Sequence, residues 1–474
     1  MNYWLFFPEL LLVGLAFLLL IADLFLPTSR KHYLAFLGAL SLAGVAAAAL
    51  TLRGEKVSLF SGMFLVDDYA LFFKFFFPAL GVLVLLASVE YAKKRLTHTG
   101  EYYGLILISV LAMMLMTAAG ELLTAYISLE LLSFSLYIMA AYERDNPKSS
   151  EAGLKYILLG AFSSALLLYG ISLIYGLAGT TSFEGIGRLV QGGNGPALFL
   201  GLALIIAGLG FKLAVVPFHM WAPDVYEGSP LPVTAYLSVA SKAAGFALLL
   251  RLFATAFAPL MVDWQGVLAG VAAVTMTVGN LVAIQQRNIK RLLAYSAIGQ
   301  AGYLLLGVVV LSPQAADAIL FHLAGYAASN LAAFVAIIAY FNQTGHEDIP
   351  DYAGLAERAP FVALTLSIAL FSLAGLPFFA GFTTKFYLFL AAAQGGFLWL
   401  AALAVLNSLI SLYYYLLIVK EMYISPPPPQ AGRLPVSILL HGVLGVLLIA
   451  VFLIGIYPSP LLTLIQAATR PLFF

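Results

Sequence analysis

Gly208–Pro232 reads GLGFKLAVVPFHMWAPDVYEGSPLP. Lys212 lies inside an apolar run, and Pro217 follows it by a little more than one helical turn. Proline lacks a backbone N–H and crowds the carbonyl one turn back, so a helix is predicted to break there. The chain then runs through a polar, Pro/Gly-rich piece and re-enters an apolar helix carrying a second lysine, Lys242. A cation in hydrocarbon costs about 2.5–3.5 kcal/mol or more unless it is paired, hydrated or deprotonated. Two of them flanking a break point to a path for ions rather than a simple anchor.

The rest of the chain fits that setting. Of 474 residues, 62% are hydrophobic and 9% charged, against about 25% charged in a soluble domain. This is the composition of a membrane protein. A net charge of +1 argues against nucleic acid as a partner. The absence of cysteine excludes thiolate Fe–S ligation, thioether-linked haem, disulfides and thiol catalysis in this chain. The six histidines do not recur at haem-ligand spacing within spans, so the chain is not expected to carry electrons. MNYWLFFPELLLVGLAF has no basic leading region and Glu9 enters its apolar run, so it reads as a first span and not a cleaved signal.

At about 20 residues per span, the apolar runs give an all-α polytopic membrane protein of about fourteen helices. Three lie within residues 1–92, five within 101–254, five within 260–423 and one within 435–457. The twelfth, Phe361–Ala392, is too long for one straight span. One set of alternate loops holds Arg30, Lys31, Lys93, Lys94, Arg95, Arg144, Lys148, Arg287, Lys290, Arg291, Arg358, Lys420 and Arg433. The opposite set holds Arg53, Lys56, Arg188 and Arg251, with Arg470 in the tail. The first set is expected to be cytoplasmic, and an even span count then puts both termini outside. Pro426–Pro429 reads as a stiff cytoplasmic linker and Gly192–Pro196 as a flexible outer loop. Gly345–Pro360, with Glu347, Asp348, Asp351 and Glu357, reads as a solvated loop or a docking face for a neighbouring subunit.

Leu376-Pro377-Phe378 repeats the Val216-Pro217-Phe218 break five spans later, an odd number, which implies repeats inverted in the membrane. Broken helices at matching places in two halves point to a transporter site. Lys385 follows the second break as Lys212 precedes the first. Glu130, in TAYISLELLSFSLY, is expected near the middle of the fifth span, as an ion-pair partner for Lys212 or Lys242; the bland alternative is a protonated glutamate bonded between helices. A desolvated amine sheds its proton more readily and a nearby carboxylate restores it, which is the physical basis of a pump element. The competing reading of the lysines is that they snorkel to an interface, weakest for the central Lys242. His322, in AILFHLAGYAASN, is a candidate proton relay, or equally a satisfied core histidine. His219 is a candidate for hydrating the break, and Gln300, Tyr303, Tyr326 and Asn330 for ordering water. Lys74, Asp23 and Glu90 are expected to snorkel, Lys155 to sit at the surface or at a proton intake, and Trp4, Trp221, Trp264 and Trp399 to form an interfacial belt. Gly299 and Gly302 read as close-packing positions rather than a nucleotide loop.

FKLAVVPFHMWAPDVYEGSPLPVTAYLSVASKAAGF, NIKRLLAYSAIGQAGYLLLG and LAGLPFFAGFTTKFYLF resemble the antiporter-like membrane subunits of respiratory complex I, a pattern shared with multisubunit cation/proton antiporters. Within that family the chain is most similar to the subunit N group: it stops after about fourteen spans, without a long lateral C-terminal helix, and has lysine rather than glutamate in the twelfth. The resemblance implies two inverted five-helix repeats and one hydrated axis, falling here on Glu130, Lys212, Lys242 and Lys385. It also implies proton translocation coupled to NADH–quinone electron transfer, with flavin, Fe–S clusters and quinone in other subunits and no cofactor or metal in this one. Other membrane subunits and the lipid bilayer of a bacterial inner membrane are the implied partners, with no small-molecule substrate other than protons. The alternatives are a sodium/proton antiporter subunit, a structural scaffold, and, more weakly, a quinone-binding redox role.

Overall fold

The computed structural model describes residues 3–190, 195–429 and 432–473; the loop expected at Gly192–Pro196 falls largely outside them. The chain enters α1 (Phe7–Phe25) through Pro8, where a missing N–H costs nothing. After α2 (Tyr33–Ala49), an antiparallel hairpin of β1 (Val57–Leu59) and β2 (Phe64–Val66) pairs Val57 with Val66 and leads into α3 (Asp68–Arg95). α4 (Thr99–Ala118), α5 (Leu122–Ala140), α6 (Pro147–Ala178) and the short α7 (Phe183–Leu189) come next. Glu121 caps α5 by accepting from Leu123 N, and Asn146 caps α6 by accepting from Lys148 N. α8 (Pro196–Leu213) ends at the first break, α9 (Trp221–Gly228) follows it, and α10 (Leu231–Tyr236) and α11 (Lys242–Thr255) form one crossing around a π-helical turn, Leu237–Ser241. The second half holds α12 (Met261–Ala283), α13 (Ile289–Val310), α14 (Pro313–Thr344) and the one-turn α15 (Leu355–Arg358). It continues through α16 (Pro360–Ala374), α17 (Ala380–Gln394) and α18 (Leu398–Tyr423), and ends with α19 (Ile438–Ile456) and α20 (Ser459–Thr469).

Among the described residues, 13 helices are long and apolar enough to cross a bilayer. α16 and α17 have 15 residues each, about 22 Å at 1.5 Å per residue, too short for the ~30 Å core. Joined end to end across Gly375–Phe379 they make the fourteenth crossing, as expected from the sequence. The even number leaves the start of α1 and the end of α19 on one face, the terminal face; the opposite, basic face carries most loop lysines and arginines. The break in α8 lies in the fourth of five crossings from α4 to α11. The break between α16 and α17 lies in the fourth of five from α12 to α18, and because five is odd the second set runs in the opposite sense.

Burial decides which helices form the middle. The most apolar window of Leu231–Thr255 is 100% buried within the protein and those of α13 and α14 are 94% buried, against 33% for α6 and α18. A helix covered on every side presents its polar groups to other helices and not to lipid. Close packing there needs glycine: a Cβ on Gly302 would sit 2.6 Å from Met276 N, and one on Gly279 2.5 Å from Gly299 N, so α12 and α13 touch backbone to backbone.

Four expectations change. Lys74 does not snorkel: it is fully buried and ion-paired with Glu9, itself 1% exposed, so Glu130 is not alone among carboxylates at depth. Arg251 is no loop residue. It is 2% exposed in the last turns of α11, and its guanidinium donates to both Asp67 oxygens at 2.7 and 2.8 Å and lies 4.8 Å over the Tyr69 ring. Trp221 and Trp264 are buried rather than interfacial: their indole N–H groups donate to Phe211 O at 2.8 Å and Phe257 O at 2.9 Å. Finally, the hairpin and α20 add structure at the terminal face where the sequence showed only loop and tail. Asp23 does lie near a helix end, 2.8 Å from Lys31, and Glu90 is 2.9 Å from Lys94.

The Asp67–Arg251 pair fastens the first three helices to α11. Burial alone would raise the Asp67 carboxyl, but the Arg251 charge and hydrogen bonds outweigh it and hold the group below the usual carboxylate range. A depressed folded value gives stability that is present above the ordinary carboxylate pKa and lost as pH falls through the folded value. Asp67→Ala is expected to cost about 3–5 kcal/mol, because it strands a buried guanidinium, and the double substitution Asp67→Leu/Arg251→Met less than the single one. Unfolding of the full chain in detergent, read by circular dichroism, checks both, and wild-type stability should be flat near neutral pH and fall only in acid.

Candidate functional site

The two breaks are built differently. α8 ends at Leu213, four residues before Pro217, because the proline ring excludes the Leu213 carbonyl from a regular turn. Ala214 turns left-handed at φ 56°; its N–H donates to Phe211 O at 3.0 Å, and the Trp221 indole adds a second donor to the same carbonyl. At the second break Gly375 takes φ 91°. Gly381 then lies so close to Ser372 O that a Cβ there would be 1.7 Å from it, and its own N–H donates to Ser372 Oγ at 2.9 Å. Only glycine fits that approach.

Lys212 is 3% exposed, one residue inside the end of α8, and its Nζ donates to Ser133 Oγ on α5 at 3.0 Å. Glu130, one turn from Ser133 on the same helix face, is half-buried and accepts from Ser164 Oγ on α6 at 2.5 Å. The sequence suggested a direct ion pair; among the described residues none joins the two within 4.0 Å, because each charge is held by a serine, although Glu130 lies within electrostatic range of Lys212. The stem of Lys212 continues to α11: a Cβ on Gly245 would lie 3.7 Å from Lys212 Cγ.

Lys242 is 2% exposed and follows directly on the π-helical turn. Such turns loosen the hydrogen-bond ladder and recur at functional positions. Its Nζ donates to Ala297 O on α13. One turn earlier, Ser238 O accepts from Tyr326 OH at 2.9 Å and Ser238 Oγ from Asn330 Nδ2 at 2.6 Å, both from α14. Tyr326 stacks on His322 at 6.5 Å between ring centres. His322, 1% exposed, has Nδ1 3.0 Å from Thr384 Oγ1 and Nε2 3.1 Å from Gln300 Oε1. Gln300 Nε2 donates to Leu373 O at 3.3 Å, and Lys385 Nζ donates to the same carbonyl at 2.7 Å and to Ser408 Oγ at 3.0 Å. Lys385 is 3% exposed and sits over Tyr303 at 4.8 Å. Hydrogen bonds thus tie the helix of Lys242 to Tyr326 and Asn330 on α14, and His322 through Gln300 and Leu373 O to Lys385, with the Tyr326–His322 ring stack joining the two sets.

Two other residues singled out from sequence lie apart from this row. His219 sits in the first break, nearly buried, with Nδ1 unpartnered among the described residues. Lys155 belongs to a surface cluster at the basic face, 2.6 Å from Asp224 and 2.7 Å from Glu151; Arg291 bridges Asp224 at 2.6 Å and Glu227 at 3.1 Å. Partial burial raises the Asp224 carboxyl, but bonds from Lys155 and Arg291 bring it below its usual value; Lys148 and Arg291 do the same for Glu227.

Ser133, Ser164, Thr384 and Ser408 escaped the sequence reading. Ser133 was findable from its i+3 spacing to Glu130 and Thr384 from its place beside Lys385. Ser164 and Ser408 carry no local signal. Among the described residues no cluster of three His, Asp or Glu side chains is placed to hold a metal ion.

Residues 119–411 match the family described as NADH:quinone oxidoreductase/Mrp antiporter, transmembrane. NADH-quinone oxidoreductase subunit N of Moorella thermoacetica is 45% identical over 461 residues, covering 97% of each chain. A chain in the structure of respiratory complex I from Thermus thermophilus with bound aureothin superposes with a TM-score of 0.81 at 31% identity, over 97% of this chain and 99% of that one. A chain of the Mrp complex from Dietzia sp. DQ12-45-1b shares the fold at TM-score 0.89 and 23% identity, over 100% of this chain and 98% of that one. A match across more than half of the chain, spanning both breaks and the positions of Lys212, Lys242 and Lys385, places this chain in the family of NADH:quinone oxidoreductase and Mrp antiporter membrane subunits.

Proposed function

We propose that this chain is a proton-translocating subunit of an NADH–quinone oxidoreductase, moving protons along Glu130, Lys212, Lys242, His322 and Lys385. The observation that carries the reading is the set of buried polar side chains between Lys242 and Lys385, linked by hydrogen bonds and one ring stack across α14 and α13. A structural scaffold has no need of three amines at that depth, each of which costs several kcal/mol to desolvate.

In this reading the basic face is cytoplasmic and the terminal face, with both termini, is the outer side of a bacterial inner membrane. Protons enter toward Lys212 and Lys242, pass laterally by way of His322 and leave outward near Lys385. Glu130 is the switch. When its carboxylate moves from Ser164 toward Ser133, the Lys212 ammonium is stabilised and holds a proton; when it returns, the proton is released toward Lys242. Moving one charge against 100 mV requires about 2.3 kcal/mol, the work of a change in lysine pKa of between one and two units. This chain contributes no electron carrier: flavin, Fe–S clusters and quinone belong to partner subunits of the complex, whose quinone reduction drives the cycle.

Lys212→Ala and Glu130→Ala in the reconstituted complex should each reduce proton uptake per NADH oxidised at least tenfold; normal coupled pumping by both variants would defeat the assignment. Lys242→Gln combined with Lys385→Gln should likewise abolish transfer, and retained pumping would favour the scaffold role. Gln300→Leu leaves His322 Nε2 and one Leu373 lone pair without a partner. It should slow proton uptake several-fold with the complex still assembled, as judged by copurification of its subunits. Uptake that depends on sodium and not on pH would move the chain to the antiporter side of its family.

A further inference from the structure

We propose that the terminal face carries a site for one phospholipid with a zwitterionic phosphate–ammonium headgroup, seated between α3, α14 and α20. The site is a cavity of about 530 Å³, within the range of small-molecule sites. Its mouth holds Arg53, just past α2, and Asp68, the first residue of α3; its walls are Phe72, Phe76, Leu461 and Leu464. Neither Arg53 nor Asp68 has a side-chain hydrogen bond or ion pair among the described residues. A free cation and a free anion therefore stand at one rim without neutralising each other.

The depth of the groove fits an acyl chain. Asp68 to Phe76 spans eight residues of helix, about 12 Å inward, close to the ~15 Å of one leaflet. Room exists because Ala324, Ala467 and Ala468 stand on facing helices where larger side chains would close the gap. Leu464, 64% exposed, and the half-buried Leu461 turn toward the cavity while Leu462 and Ile465 pack α20 onto the protein. A mainly apolar slot of leaflet depth with a charged rim suits an amphiphile. The rim chooses the headgroup. Arg53 offers a planar fork of donors to phosphate, and Asp68 accepts from a primary ammonium. A trimethylammonium has no N–H to give, and a purely anionic headgroup meets the Asp68 carboxylate. Phosphatidylethanolamine satisfies both rim charges.

The test uses the assembled complex, reconstituted in vesicles with equal parts palmitoyl-oleoyl phosphatidylethanolamine, phosphatidylcholine and phosphatidylglycerol, re-extracted and analysed by native mass spectrometry. Retention of one phosphatidylethanolamine on this chain, at least tenfold over the other two lipids, is expected. Arg53→Gln should lower retention about tenfold, Asp68→Asn should remove the preference over phosphatidylglycerol, and Ala467→Phe should fill the slot and abolish retention. If Ala467→Phe fails to assemble, the two rim variants still decide. Equal retention of all three lipids by the wild type, or retention unchanged in both rim variants, overturns the proposal. So does cross-linking of a neighbouring subunit through Leu464→Cys, a clean probe because the chain has no cysteine.

Discussion

An ammonium group at the depth of the hydrocarbon survives only where the protein supplies acceptors for its three N–H bonds. Regular helices have none to spare, because nearly every backbone carbonyl is already bonded within the helix. This chain obtains them by breaking helices. α16 stops at Ala374 and leaves carbonyls open; Lys385 reaches back from α17 and takes Leu373 O at 2.7 Å and Ala374 O at 3.4 Å. The partial negative charge at that helix end also favours a cation. A break that would be a liability in lipid becomes a binding site once neighbouring helices enclose it.

The first break solves the same problem with a different result. Its Phe211 carbonyl is taken by Ala214 N and the Trp221 indole and not by Lys212, so the one hydrogen bond of Lys212 among the described residues goes to a side-chain hydroxyl, Ser133. Hydroxyls rotate and can donate or accept, so this amine is held less firmly than Lys385. The difference follows from which side of the break each lysine occupies. Lys385 lies beyond the gap and points back at exposed carbonyls; Lys212 lies before it, with its own helix end already occupied. One hydroxyl at Lys212 and two carbonyls with a hydroxyl at Lys385 make the surroundings of the two amines unlike.

The span count, both breaks and the burial of Lys212, Lys242 and Lys385 were legible because each leaves a local trace: a long apolar run, a proline, a charge out of place. What stayed hidden depends on partners far away in sequence. Lys74 looks like any lysine two turns into a span until Glu9, on another helix, is seen against it. Arg251 reads as a loop residue because it lies near a span end, and only the fold brings Asp67 to it. Trp221 has the composition of a belt residue, yet the break turns it inward to stack on Tyr156 at 4.4 Å. The π-helical turn before Lys242 leaves no mark in LSVAS, since it arises from how α10 and α11 are pinned at either end.

That pinning gives the interior its mechanics. At the terminal face Arg251 grips Asp67, and Tyr69 OH donates to Ala247 O at 2.8 Å, tying α11 to α3 over its last three turns. Toward the basic face, Thr234 Oγ1 donates to Tyr226 O at 3.0 Å and holds α10 to the segment that follows the first break. Lys242 lies between two anchored ends, nine residues and about 13 Å from Arg251. Any displacement of α9 or of the break must therefore be taken up between the anchors. The π-helical turn is the softest element there, since its ladder is already out of register. A displacement taken up there would fall on Lys242 and on the Ser238 contacts that lead on to α14.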